Sequence, residues 1–292
     1  MEAEALLQDV RAELEKARND LERIDRNKSD FISVAAHELK TPLTLIEGYT
    51  NMMKAEFPPD DHPRLALIAS GIENGALRLR EIINDMIDVS MIDMALLDLH
   101  FQPVWLQRLV ESVEFDVRDI LKARKLTLTI ERTKIPKTPT YADPERLHQV
   151  VLKVIANAIK YTPDGGTITI SARDLPGFVD LTVTDTGIGI ASENLTRIFE
   201  KFSSLSEVAT HSSSKVKFKG GGPGLGLAIA QGIMEAHGGT IWAYSEGYDE
   251  EKCPGSTFHI MIPMRTAPPE DHMAQLFAST DETALPETAP GE

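Results

Sequence analysis

Cysteine, basic residues and long apolar runs are scarce in this chain of 292 residues, and each shortage excludes a class of protein. The single cysteine, Cys253, excludes an internal disulfide and fits a reducing compartment. The 30 Lys and Arg are outnumbered by 45 Asp and Glu, giving a formal charge of −15. This charge argues against a nucleic-acid partner, because phosphate backbones are bound by clustered cations. No apolar run approaches the roughly 18 residues of a membrane-spanning helix.

The N-terminus is charged and periodic, unlike a signal peptide, so we expect a soluble, cytoplasmic chain. A membrane would be involved only if the chain is a fragment of a longer receptor. From Leu7 to Phe31 apolar residues alternate in steps of three and four, with Lys28 in the seventh position. This heptad seam predicts a coiled-coil signalling helix over 1–30 that dimerises in parallel. A single amphipathic helix packing on its own domain is the alternative.

A helical pattern continues to about Phe57, where "PPDDHP" (58–63) breaks it, because proline removes a donor and disfavours helix before it. A second periodic segment runs from Leu65 to Val89. Two long helices joined by a short turn predict a hairpin over 31–98, and two hairpins would form a four-helix bundle. We therefore expect a homodimer through 1–98.

After Leu99 the period changes, and five segments alternate as half-buried strands. They are 125–131, 166–172, 178–185, 238–246 and 256–263, with helical stretches at 143–161 and 223–237. This mixture predicts an α/β layered domain over 106–264, with a hinge at 99–105. The tail over 265–292 holds four prolines and six acidic residues, and we expect it to be disordered. The whole is a multidomain α and α+β protein.

The histidine in "FISVAAHELKTPLTLIEGYT" (31–50) is predicted to face away from the helix core. Ala35, Leu39, Leu43 and Ile46 form the buried stripe, and His37 lies roughly 200° from Ala35 and Leu39 at about 100° per residue. A core histidine is thereby excluded, while an ordinary surface histidine stays open.

Two neighbours of His37 favour chemistry at its ring. Glu38 could accept a proton from one imidazole nitrogen and raise the nucleophilicity of the other. Pro42 lacks an N–H, so the helix should kink there and let the ring reorient. An ordinary proline bend is the alternative.

The C-terminal half carries three glycine- and amide-containing motifs suited to a nucleotide. Asn157 and Lys160 share a helix face, where an amide oxygen can ligand Mg²⁺ and an ammonium can neutralise phosphate. "DTGIGI" (185–190) follows a strand, so Asp185 could accept from an exocyclic amino group. "KGGGPGLGLAIAQGIMEAHGG" (219–239) enters a helix whose N-terminal N–H groups suit phosphate. Each motif alone also fits an ordinary turn or surface helix.

"HELKTPLT" (37–44) and its flanks resemble the phosphoacceptor box of sensor histidine kinases. That family transfers a phosphoryl group from ATP to the histidine and then to an aspartate of a response regulator. The resemblance implies that His37 is the phosphoacceptor and Glu38 its general base. It implies that Thr41 orients water when the protein acts as a phosphatase on its partner, the receiver domain of a response regulator.

The C-terminal motifs, with "IFEKF" (198–202) between them, resemble the ATP-binding domain of the same kinases, an α/β sandwich shared with gyrase, MutL and heat-shock chaperones. The resemblance implies ATP and Mg²⁺ as cofactors, with Asn157 as the metal ligand and Asp185 at the adenine. It implies a mobile lid over 200–222. The implied nucleotide-binding set is Asn157, Lys160, Tyr161, Asp185, Gly187, Gly189, Gly222, Gly224, Leu225, Gly226, Leu227 and Thr257.

Two positions depart from the family pattern. Lys153 stands where the family usually has a second Asn, and a cation there could replace or repel Mg²⁺. Pro223 stands where a small hydroxyl residue is common, which the first turn of a helix tolerates. The sequence therefore predicts a sensor histidine kinase core that phosphorylates its own His37. The alternatives are a catalytically weak dimeric signalling adaptor, motivated by Lys153, and an ATPase of the gyrase or MutL kind, against which the histidine box argues.

Overall fold

The computed structural model describes residues 38–58, 60–203, 218 and 224–269. The chain divides into two compact units, with the boundary between Leu97 and Asp98. Several predictions lie outside the described residues: the coiled coil over 1–30, His37, Gly222, most of the lid over 200–222, and the tail from 270 onwards.

The first unit is a helical hairpin of α1 (38–56) and α2 (Pro63–Asp93). The turn between them coincides with the predicted proline break, and Pro63 begins α2, where its missing N–H leaves no hydrogen bond unmade. α1 stays helical through Pro42. Leu43 of α1 packs with Ala76 and Ile83 of α2 to form the hairpin core.

Beside that core, α2 carries a second apolar row that the hairpin leaves half-exposed. Its members recur every seven residues: Leu65 (36% exposed), Ile72 (43%), Leu79 (42%) and Met86 (38%). On α1, Leu39 and Ile46 are 46% and 43% exposed. Of the three described residues in the predicted buried stripe, only Leu43 is therefore buried within a single chain.

The second unit is built on a five-stranded sheet in the order β2-β4-β5-β7-β6. Its strands are β2 (Thr127–Ile130), β4 (Thr167–Leu175), β5 (Phe178–Asp185), β6 (Thr240–Tyr244) and β7 (Ser256–Pro263). β2 and β4 pair in parallel, and the other pairs are antiparallel. All five predicted strands are present, and β5 and β7 have the predicted bounds.

Three helices cover this sheet: α3 (Leu106–Ala123), α4 (Pro144–Tyr161) and α5 (Gly226–Ala236). The core between them is apolar, and α4 alone buries seven residues, from Leu147 to Ile159. Alternate residues of β7, Ser256, Phe258, Ile260 and Ile262, are buried, whereas Thr257, His259 and Met261 are partly exposed. The sheet therefore has one covered face and one polar, accessible face. The fold is the predicted hairpin followed by an α/β layer.

Three of these elements, α3 and two short strands, were absent from the predictions. α3 is amphipathic and buries Leu106, Val110, Val113 and Val117 at helical spacing, so its signal was present in the sequence. β1 (Gln102–Val104) pairs with β3 (Thr140–Ala142) in a separate two-stranded sheet. Strands of three residues are too short to show a measurable period, which is why they were not predicted. β1 lies inside the segment predicted as a hinge, 99–105. No described helix is both long and apolar enough to cross a membrane.

Candidate functional site

The candidate site is assembled from α4, the loop after β5, and the start of α5. Asp143 immediately precedes α4, and its Oδ1 accepts the Arg146 N–H at 3.0 Å and caps the helix. Asn157 and Lys160 follow near its C-terminal end, both half-buried. The Lys160 ammonium lies 4.8 Å from the centre of the Tyr161 ring. A cation and an amide therefore share the last two turns of α4.

Asp185 ends β5 as a buried carboxylate with two internal donors. Its side chain is 4% exposed. Oδ1 accepts the Gly187 N–H at 2.8 Å, and Oδ2 accepts the Ser256 hydroxyl at 2.5 Å. Burial raises the pKa of Asp185, and the hydrogen bonds from Ser256 and Gly187 oppose that rise. The group is held in a fixed position where it can accept a further hydrogen bond.

The loop after Asp185 lies against the end of α4, which requires glycine. A Cβ on Gly187 would stand 2.5 Å from the Tyr161 carbonyl oxygen, and the Ile188 N–H donates to that oxygen at 3.2 Å. Gly189 has φ +73, and a Cβ there would lie 2.0 Å from the Gly247 carbonyl oxygen. Both glycines are therefore needed for the close approach of this loop to its neighbours.

α5 begins beside Lys153 without a side-chain cap among the described residues. Leu225 precedes it, buried, and Gly226 is its first residue, followed by the half-buried Leu227. A Cβ on Gly226 would be 3.4 Å from Cδ of Lys153. The uncapped N–H groups of this first turn can bind an anion. Lys153, Asn157 and Lys160, spaced by four and three residues, lie on one side of α4.

Gly224 stands where the chain re-enters the described structure after the predicted lid. Its φ is +71, and a Cβ would be 3.1 Å from the Ser203 nitrogen. The two ends of the intervening segment therefore meet at the start of α5.

Ser256, which the sequence analysis did not select, contacts Asp185, whereas the predicted Thr257 faces away from it. Ser256 is buried on the covered face against Asp185. Thr257 lies on the opposite face, where its hydroxyl is 3.1 Å from that of Thr184. Side chains alternate between the two faces of a strand. Asp185 lies on the same face as Val183, so it meets the β7 residue that shares a face with Phe258, which is Ser256.

In the first unit, the described part of the predicted phosphoacceptor box lies on α1. Glu38 and Thr41 are exposed, and His37 immediately precedes the described residues. One turn later, Leu45, Tyr49 and Met52 form an apolar stripe that is 58%, 69% and 66% exposed. At about 100° per residue this stripe lies on the side of α1 opposite Leu43.

The chain matches two domain families. Residues 27–95 match the His Kinase A (phospho-acceptor) domain, and residues 142–266 match the histidine kinase-, DNA gyrase B- and HSP90-like ATPase. It is 32% identical to the non-motile and phage-resistance protein of Caulobacter vibrioides, over 84% of this chain and 28% of that protein. It is 30% identical to histidine protein kinase DivJ of the same organism, over 87% of this chain and 40% of DivJ.

A solved structure, histidine kinase AdeS of Acinetobacter baumannii, superposes with a TM-score of 0.51 and 27% identity. The match covers 78% of this chain and 98% of that one. The fold and site thus define a phosphoacceptor hairpin followed by an ATP-binding domain. The chain belongs to the sensor histidine kinase family. It spans less than half the length of the two Caulobacter relatives that it matches.

Proposed function

We propose that this chain is the catalytic core of a sensor histidine kinase that transfers the γ-phosphoryl group of ATP to His37. The observation that carries the proposal is the buried Asp185 carboxylate, held by Gly187 and Ser256 beside a glycine-lined loop. A fixed carboxylate acceptor suits the exocyclic amino group of adenine. The phosphoacceptor family match, which contains residue 37, supports the other half of the reaction.

The residues around Asp185 fit the rest of the nucleotide. Gly187 and Gly189 let the loop lie close against Tyr161 and Gly247, and Lys160 brings a cation to the end of α4. The uncapped first turn of α5, with Gly224, Leu225, Gly226 and Leu227, would hold phosphate oxygens by backbone N–H groups. Gly222 and Tyr161 belong to the same proposed set.

Mg²⁺ would be bound at Asn157 through the side-chain oxygen. Among the described residues no group of three or more His, Cys, Asp or Glu could hold a metal ion. The ion would therefore take its other ligands from the phosphates and water, as Mg²⁺ commonly does with nucleotides, and neutralise phosphate charge there. Lys153 lies one turn from Asn157, so its ammonium would share that task or compete for the position.

At the acceptor, a neutral imidazole nitrogen of His37 attacks the γ-phosphorus in line, and the bond to the β–γ bridging oxygen breaks to release ADP. Glu38 takes the proton from the other ring nitrogen, so the phosphorylated ring is left neutral. Thr41 would orient water in the phosphatase reaction, in which the phosphoryl group of the phosphorylated partner is hydrolysed to inorganic phosphate. The fixed approach of donor and acceptor lowers the entropy cost of the reaction.

We propose a homodimer through 1–98 and a response regulator receiver domain as the phosphoryl acceptor. The half-exposed row on α2 and the exposed Leu39 and Ile46 would be covered in a four-helix bundle. The stripe of Leu45, Tyr49 and Met52 stays outside that bundle and follows the phosphoacceptor box by one turn. It offers a receiver domain an apolar contact close to His37.

Incubation of the full chain with γ-labelled ATP and Mg²⁺ tests the proposal. We expect label that is stable in base and labile in acid, and that is lost in His37→Ala. Absence of label from a protein that still binds ATP would favour the adaptor instead. Lys153→Asn is the companion variant, because it restores the usual amide and reports whether the cation limits the reaction.

A further inference from the structure

Arg124 is a buried cation at the point where α3 ends and α4 ends. Its side chain is only 3% exposed. Nη1 donates to the Ile159 carbonyl oxygen at 3.1 Å and Nη2 to that of Thr162 at 2.8 Å, while Nε pairs with the Asp164 carboxylate. A residue outside α4 thus supplies donors to the C-terminal end of α4.

The last carbonyl groups of α4 show why those donors matter. The Ala158 oxygen accepts the Thr162 N–H at 3.0 Å and the Thr162 hydroxyl at 2.7 Å, and the Tyr161 oxygen accepts the Ile188 N–H. The C-cap is Thr162 in extended conformation, so the helix lacks the left-handed glycine that commonly satisfies terminal carbonyls. Arg124 takes that role, and its charge is favourable at the negative end of the helix dipole.

The same helix end is one wall of the proposed nucleotide site. Lys160 and Tyr161 form its last turn, and the Tyr161 oxygen fixes the loop of Gly187 and Ile188. A Cβ on Gly187 would be 2.5 Å from that oxygen, so the loop and helix end leave no spare room between them. A displacement of the helix end would therefore move the loop that carries the Asp185 hydrogen bond.

We infer that Arg124 is a positioning residue for nucleotide binding: by clamping the Ile159 and Thr162 carbonyls it fixes the last turn of α4, and with it Lys160 and the Gly187 loop. This inference rests on the proposed function, and it adds a residue that belongs to none of the nucleotide motifs. Arg124 would act only through α4, without contacting the nucleotide.

Amide hydrogen exchange of the full chain without nucleotide gives the first readout. In Arg124→Gln we expect exchange over 159–167 and 186–190 to accelerate about tenfold, because the two charged hydrogen bonds are lost. Arg124→Lys keeps the charge but loses the planar guanidinium that donates to two carbonyls at once, and it should show a smaller increase in exchange rate. Val113→Ala is the matched control, because it removes buried volume from α3 with no polar role, and it should leave these two segments unchanged relative to the rest of the unit.

The Kd for ADP gives the second readout. Arg124→Gln should weaken ADP binding about tenfold, whereas Val113→Ala, measured well below its melting temperature, should bind like wild type. If Arg124→Gln does not fold, Arg124→Lys decides by the same comparisons. If the wild type binds ADP and both Arg124 variants keep its exchange rates and its affinity, the inference is wrong but the proposed function is not affected. Failure of the wild-type chain itself to bind ADP overturns the proposed function and the inference together.

Discussion

Ser256 and Asp185 face each other across the β5–β7 pair, and the Ser256 hydroxyl donates a 2.5 Å hydrogen bond to the Asp185 carboxylate. The neighbouring Thr257 hydroxyl points to the other face of the sheet, towards Thr184. Two adjacent hydroxyl residues on one strand therefore have different surroundings.

Ser256→Ala and Thr257→Ala should separate these two positions. Removing the Ser256 hydroxyl leaves a buried carboxylate with one donor fewer, which costs about 1–3 kcal/mol. We expect roughly a tenfold or greater loss of ADP affinity in Ser256→Ala by titration calorimetry, and much less in Thr257→Ala. A larger loss in Thr257→Ala would show that Thr257 has the role implied by the family resemblance.

Asp185 should give nucleotide binding and stability opposite responses to acid. Burial raises its pKa above the ordinary 3.8, so the folded state binds this proton more tightly than the unfolded state does. Between pH 3.8 and the raised pKa, the contribution of Asp185 to the free energy of unfolding therefore falls as pH increases. Acid protonates the carboxyl and restores that contribution. ADP binding needs the carboxylate as acceptor, so affinity should fall as pH drops towards the raised pKa.

Asp185→Asn isolates that contribution. Urea unfolding across the acid range should show the wild type gaining stability relative to Asp185→Asn as pH decreases. The ADP affinity of the variant should be low at every pH. A stability difference that does not change with pH would mean that Asp185 titrates like an exposed carboxyl.

Gly255→Ala and Gly177→Ala test whether the site depends on close backbone approach. Both glycines have φ +78. A Cβ at 255 would lie 2.2 Å from the backbone carbonyl oxygen of Asp185, whereas a Cβ at 177 would have nothing within 4 Å. Left-handed backbone alone costs Ala about 1–2 kcal/mol, and a steric clash adds about 1–3 kcal/mol. Gly255→Ala should therefore be the less stable variant in urea and bind ADP weakly, and Gly177→Ala should bind normally. Equal losses of stability and ADP affinity in the two variants would mean that the positive φ alone causes them.

The half-exposed row on α2 should determine the oligomeric state. Ile72→Glu or Leu79→Glu would introduce a charge into the proposed bundle seam, where burying it without a partner is costly. Sedimentation should then report a monomer. Leu67 is 75% exposed and off that row, so Leu67→Glu is the matched control and should stay dimeric. A monomeric wild type, or a dimer that tolerates both seam variants, would contradict the bundle.

The sequence predicted the sheet because each long strand has a period of two and each end is marked by Gly, Pro or Asp. It predicted Asp185 and Gly187 because a strand that ends in D-x-G-x-G is a local pattern. A motif alone could not show that Ser256, and not Thr257, contacts Asp185, since that depends on which face of β7 meets Asp185.

Arg124 shows a second limit. Its contacts join residues 35 and 38 positions apart, at the ends of two different helices. No spacing rule links an arginine after one helix to the carbonyls of another, because the crossing is set by how α3 and α4 pack. The motif residues follow local sequence patterns, and the contacts of Arg124 with the end of α4 do not.

The most direct test is intact-mass and peptide mapping of the full chain after incubation with Mg-ATP. We predict one added phosphoryl group on the wild type, located at His37 and removed by acid but not by base. His37→Gln and Asp185→Asn should both stay unmodified, the first without an acceptor and the second without bound nucleotide. A phosphoryl group that persists in His37→Gln, or that forms undiminished in Asp185→Asn, would contradict the account.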